Sequence, residues 1–303
     1  MRLLPAGSIL LSLILIACRG DSGGPALDSG LASQTAPGFC RSTGFRKTLP
    51  SAVQETSGLA LSRSGRPLLW THNDSGHDPI IYALDTTGAI VGQVAVAGAV
   101  LLDWEDIAAG PCDSGNCLFI ADIGDNFAAR SMVAIYVIPE PSPEAKQSEP
   151  AVALLARFPD GSQDAEAIFV LPNGDLYLVT KGRQAGIALY RLPKAEQQPG
   201  NVATLELVRS LWPRPSSQRD RVTGATASPD GRWVAIRTYR TLHVYGTDAL
   251  IGQGEAAVKF DLTPLRERQG EAVALTNEGD VWLSTESEIR WRKPALLKVR
   301  CRL

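Results

Sequence analysis

The sequence predicts an all-β protein, a five-bladed β-propeller, on three observations. A short phrase recurs five times along the chain, led by Ser57, Glu105, Glu166, Thr223 and Glu271, at a spacing of roughly 50–60 residues that suits one four-stranded blade. After four of these leads a turn glycine stands at one fixed offset, Gly65, Gly174, Gly231 and Gly279, and a second strand-like run follows: PLLWTH, DLYLVTK, RWVAIRT and DVWLSTE. Nearly every remaining segment is a short apolar run bounded by turn residues, with no long amphipathic helix pattern among them.

The elements follow in order. The first blade takes residues 57–62, 67–72, 80–85 and 90–96; the second takes 105–109, 118–122, 133–138 and 152–158, with a longer first turn at 110–116 and the proline-rich 139–150 as a loop. The third takes 166–171, 176–181, 187–192 and 203–210, and the fourth 224–228, 233–238, 241–245 and 257–262. The fifth blade has only 271–276, 281–286 and 296–302. Segment 41–49 is left over near the other end of the domain and supplies the missing outer strand. Antiparallel pairing would then bring Cys40 beside Cys301, so that strand pairing and a disulfide close the ring. A six-bladed ring, with a divergent blade between Glu105 and Glu166, is the competing arrangement.

Residues 1–17 have the layout of an export signal: Arg2, an apolar run over 9–16, and a small residue before the cut. The run is short for a bilayer span. Leu15-Ile16-Ala17-Cys18 looks like the lipobox of bacterial lipoproteins, which implies lipidation of Cys18 and anchoring to the bilayer of the cell envelope; Arg19 in place of aspartate implies the outer rather than the inner membrane. Residues 18–38, rich in Gly, Ser, Pro, Ala and Asp, form a flexible tether, and 39–303 the propeller domain. Setting Cys18 aside leaves an even number of cysteines, as an oxidising compartment favours. Cys112 and Cys117 flank a turn sequence and pair locally, which leaves Cys40 and Cys301; other pairings stay open at this point. A net charge of -2 gives no basic surplus for nucleic acid, and a monomer is expected.

The inner strand of each propeller blade lines the axis, so the leads form a ring. Three carboxylates converging there repel one another unless a cation is present. All-oxygen ligands without histidine suit a hard ion, Ca2+, held by Ser57, Glu105, Glu166, Thr223 and Glu271. The loops on the face where inner strands begin add a rim. Asp103, Asp122 and Asp74 are the candidate catalytic carboxylates, and His72, Asn73, Asp125, Asn126, Arg130, Lys181, Arg237 and Tyr239 the candidate substrate-binding residues. Carboxylates opposite Lys181, Arg130, Arg221 and Arg237 suit a small anionic ligand, phosphate esters in particular, with a carboxylate orienting water. A non-catalytic propeller that binds a protein or a glycan, with a structural calcium, fits the same residues. There is no GxSxG elbow and no phosphate-binding glycine loop, which excludes a serine-hydrolase triad of that kind and a P-loop or dinucleotide fold.

The order Ser, Glu, Glu, hydroxyl, Glu over five blades resembles the soluble calcium-activated nucleotidases of the apyrase family, five-bladed propellers with an axial calcium. Thr223 stands where that family has a serine. The resemblance implies the axial ion and, through it, nucleotidase activity. DWEDIA (103–108) and IADIGDN (120–126) look like a family of uncharacterised bacterial exported propellers.

Overall fold

In a computed structural model, residues 38–287 and 293–303 are described; the leader, Cys18 and nearly all of the expected tether lie outside them. Strand β1 (Phe39–Thr48) comes first in the chain but belongs to the last blade. Blade 1 is β2 (Thr56–Leu61), β3 (Leu68–Asn73), β4 (Ile80–Asp85) and β5 (Ile90–Ala95). Blade 2 is β6 (Trp104–Cys112), β7 (Gly115–Asp122), β8 (Val133–Pro139) and β9 (Val152–Arg157). Blade 3 is β10 (Ala165–Val170), β11 (Leu176–Thr180) and β12 (Ile187–Leu192), then, after β13 (Val202–Thr204), the outer strand β14 (Glu206–Trp212). Blade 4 is β15 (Val222–Ala227), β16 (Trp233–Thr238), β17 (Thr241–Gly246) and β18 (Val258–Asp261). Blade 5 is β19 (Gly270–Leu275), β20 (Asp280–Thr285), β21 (Ala295–Arg302) and, outermost, β1.

Five blades in five sheets leave no sixth between Glu105 and Glu166. That longer interval is taken up by the extended β6–β7 hairpin and by loop 140–151, which bridges Ala95 to Gln147 on the outer edge of blade 1. Packing there is close: a side chain on Gly92 would meet the Pro143 carbonyl at 2.1 Å. The loop thereby covers a strand edge that would otherwise stay open.

Ring closure is as the pattern predicts. β1 runs antiparallel to β21 with Cys40 opposite Cys301, and a disulfide joins them; a second disulfide joins Cys112 and Cys117 across the β6–β7 turn. One expectation needs correction. Residues 203–210 are not one strand: Val202–Thr204 adds in parallel to β9 of blade 2, while Glu206–Trp212 completes blade 3. The break comes at Leu205, whose side chain is buried between blades 2 and 3 and whose N–H donates to the Arg157 carbonyl.

The apolar core lies between blades. Five clusters of buried side chains fill the five interfaces, for example Trp70, Ile81 and Trp104 with Ile120 between blades 1 and 2, and Leu59 and Leu84 with Trp282 between blades 1 and 5. Both faces of each sheet are therefore covered, which is why the inner strands are buried at nearly every position. The turn glycines Gly65, Gly174, Gly231 and Gly279 all take positive φ, between 72° and 86°, which explains their fixed offset in the repeat.

Candidate metal centre at the axial mouth

Each lead residue is the second residue of its inner strand, and each interrupts the strand pairing. Register shifts between Thr56 and Leu59, Trp104 and Asp106, Ala165 and Ala167, Val222 and Gly224, and Gly270 and Ala272. The five leads are thus five β-bulges, and a bulge re-aims the side chain it carries. All five are buried. The hydroxyls are committed to the backbone of the next blade: Ser57 Oγ donates to the Glu105 carbonyl at 2.7 Å and Thr223 Oγ1 to the Gly270 carbonyl at 2.9 Å. The residue after each hydroxyl is glycine because the blades touch there; a Cβ on Gly58 would lie 2.5 Å from Ile107 N, and one on Gly224 2.6 Å from the Glu271 carbonyl.

The three glutamates are what remains for a charge. Glu105 belongs to two sets of carboxylates, Asp74, Asp103 and Glu105, and Glu105, Asp164 and Glu166, and within each set one oxygen per residue lies within 4.8 Å of the others. Gly124 closes over Asp103 and Glu105, with no room for a side chain. Lys181 sits in the cluster and pairs with Glu166. Burial works against its ammonium, but Glu166 and Glu105 outweigh that and raise its pKa, so it stays charged. One cation does not balance the cluster. Burial, with Glu166 nearby, holds the Glu105 carboxyl well above its usual range. Burial lifts Glu166 to about 8 against the pull of Lys181, and Glu271 to about 7 against Lys181 and Arg237. Asp103, half-buried and facing Asp74 and Asp164, is raised to about 6 by burial and those charges. Glu286 is raised to about 10 by burial and then by Glu271.

An all-oxygen set of mutually repelling carboxylates can hold a metal ion, and the donors fit a hard one. The grouping differs from the ring read in the sequence. Asp74, Asp103 and Asp164 join Glu105 and Glu166, while Glu271 is tied to the Tyr239 hydroxyl and Gln269 instead.

The other rim residues divide by contact. Asp122 is fully buried, accepts from the Leu102 and Asp103 N–H groups, and pairs with Arg130 at 2.7 Å. Asp125 accepts from the Ala129 and Arg130 N–H groups, and Asn73 bridges Glu55 N–H and the Ala52 carbonyl; both hold loops. Asn126 is exposed, and its carbonyl accepts from Gln184. His72 has no exposure; it packs edge-on against Trp104, and burial lowers its pKa to about 4, leaving it neutral at pH 7. Arg237 is equally enclosed, paired with Glu267 and donating to the Ala272 carbonyl. The structure therefore gathers Asp74, Asp103, Glu105, Glu166 and Lys181, and places His72 and Arg237 inside the blades. Of the cations expected at the mouth, Lys181, Arg130 and the enclosed Arg237 are each ion-paired, as is the neighbouring Arg183, while Arg221 keeps a buried Nε without a hydrogen bond.

Two residues escape sequence reasoning. Asp106 is fully buried, and its carboxylate accepts from the Ile107, Ile168 and Ala225 N–H groups, linking blades 2, 3 and 4. Its signal is that the residue after each lead is otherwise Gly or Ala. Asp164 is recognisable only as a polar residue ahead of Glu166, yet it is fully engaged by Arg183 and Asp125 N–H.

No protein-family model and no curated protein matches the chain. Among solved structures it is similar to the PQQ-bound form of aldose sugar dehydrogenase from Streptomyces coelicolor, with a TM-score of 0.54 and 12% identity, over 88% of this chain and 100% of that one. The chain has a β-propeller fold. At that identity the likeness shows the fold alone. The structure of Chaetomium thermophilum Sqt1 bound to the N-terminus of the ribosomal protein L10 is also matched, at a TM-score of 0.38 and 14% identity, over 78% of this chain and 60% of that chain.

Proposed function

We propose that this protein holds Ca2+ at the axial mouth and hydrolyses phosphorylated small molecules there. The observation that carries the reading is the pair of carboxylate sets sharing Glu105, opening to solvent through the partly exposed Asp74 and Asp103. Asp74, Glu105 and Glu166 would hold the ion, which when bound supplies charge neutralisation and polarises a phosphoryl oxygen. Asp103, with a pKa near 6, is mostly ionised at neutral pH, and accepts the proton of an attacking water. Lys181 holds Glu166 in place, and the buried Asp122 fixes the Asp103 backbone through its N–H.

The test is hydrolysis of nucleoside di- and triphosphates, sugar phosphates and phosphodiesters with calcium against EDTA, for the parent and for Glu105→Gln, Glu166→Gln and Asp103→Asn. Calcium-dependent turnover that falls at least 100-fold in Asp103→Asn with calcium affinity retained is the expected result. A second reading is favoured by Val100, Leu102 and Phe127, 56%, 63% and 92% exposed on the rim of blade 2. Such apolar side chains suit docking of a protein or glycan. Calcium binding without turnover on any substrate would select it. We further propose that Cys18 carries the lipid anchor to the outer membrane; loss of palmitate labelling in Cys18→Ala tests this.

A further inference from the structure

Beside the axial mouth, loops of blades 4 and 5 line an open hollow of about 750 Å³ whose wall carries the opposite charge. Its wall carries Arg219 from the loop before β15, Arg240 from the β16–β17 turn, and Arg266 and Arg268 from the loop before β19. The carboxylates near Arg219, Arg240 and Arg266 do not cancel them. Glu267 also lines the cavity, but its side chain is 1% exposed and is turned to Arg237, itself fully buried. Asp220 offsets Arg240 alone, accepting from its Nε at 2.9 Å and its Nη2 at 2.6 Å. That pairing leaves Nη1 of Arg240 free of it and fixes the plane of the guanidinium. Among the described residues, Arg219 and Arg266 have no carboxylate within ion-pair distance.

We propose that this cavity binds the phosphate group of a small soluble molecule. Guanidinium groups gathered round one hollow repel each other, and a multiply charged oxyanion relieves that repulsion while accepting paired N–H donors from the forks of Arg219 and Arg266. A hollow of this volume suits a small molecule better than a flat membrane surface does. Tyr239 lines the same cavity and hydrogen-bonds Glu271, so an anion seated there lies one side chain from the axial ring. The site goes beyond the axial reading and does not depend on it: phosphate is held by arginines, with no metal required.

The test is calorimetric titration of the full chain with pyrophosphate in EDTA at low ionic strength, where the axial ion plays no part. Saturable binding is expected, weakening at least tenfold in Arg219→Gln/Arg266→Gln and unchanged in Asp103→Asn. Both arginines are exposed, so folding of the double variant is expected to survive and is checked by its melting curve; Arg219→Glu serves as a second, charge-reversing variant with the same expected loss. No saturable binding, equal binding by the double variant, or binding only to phosphatidylglycerol vesicles and not to pyrophosphate would overturn the proposal. Because the titration is run without metal, a failure of calcium-dependent hydrolysis leaves its result standing, and the reverse.

Discussion

At the residue scale the axial mouth is a problem of charge. Lys181 is the counter-ion of Glu166, with the two side chains only 11% and 3% exposed. Removing one partner of a buried pair leaves the other uncompensated, at a cost of about 3–5 kcal/mol. Lys181→Met is therefore expected to lower stability by about 3 kcal/mol in EDTA, with most of the loss recovered at saturating calcium; denaturant titrations with and without calcium measure both. The raised carboxyl pKa values set the pH dependence. Asp103, Glu271 and Glu166 titrate near 6, 7 and 8 in the fold, above the value of about 4 for an unfolded carboxyl. Between those limits the folded state binds more protons than the unfolded state, so stability falls as pH rises. The melting temperature of the metal-free protein is expected to drop from pH 5 to pH 8, and added calcium to raise it more at pH 8 than at pH 5. A flat profile without metal would show that the cluster is already neutralised.

At the element scale the inner strands must come close enough for each lead to reach the next blade. Glycine makes this possible at two of the five interfaces. Gly58→Ala would drive a methyl to 2.5 Å from Ile107 N, against backbone that has no room to yield, and is expected to cost about 1–3 kcal/mol, read by urea denaturation. Asp106 acts on the same strands in the other direction, drawing β6, β10 and β15 together through three N–H groups. Asp106→Ala strands two of those donors from neighbouring blades and is expected to cost about 2–4 kcal/mol, without change in the calcium affinity per folded molecule.

At the scale of the whole molecule a propeller ring has one seam, where the first and last strands of the chain meet. Here β1 supplies the outer strand of blade 5, and Cys40–Cys301 locks it across a sequence separation of 261. In the chain-entropy model, closing so long a loop in the unfolded state contributes roughly 4–5 kcal/mol. The Cys40→Ser/Cys301→Ser variant is expected to lose most of that. The Cys112→Ser/Cys117→Ser variant, whose bridge closes a separation of only 5, is expected to lose much less. Paired melting curves under non-reducing conditions compare the two.

The architecture was legible in the sequence because it is periodic. Turn glycines at positive φ, apolar strands covered on both faces, and one oxygen-bearing lead per blade each leave a mark at a fixed offset, and repetition lets five weak marks confirm one another. The seam was legible for a related reason: one blade lacked a strand and one strand lacked a blade. Tertiary structure alone decided what the leads do. Nothing in the repeat shows that Ser57 and Thr223 donate hydrogen bonds to carbonyls of the neighbouring blade, that Glu105 and Glu166 join Asp74, Asp103 and Asp164 rather than Glu271, or that Asp106 reaches into two other blades. Nor does it show that Arg237 is enclosed while Arg219 and Arg266 face a cavity. The physical reason is that a repeat fixes position within a blade, whereas charge compensation acts between blades, among residues far apart in the chain.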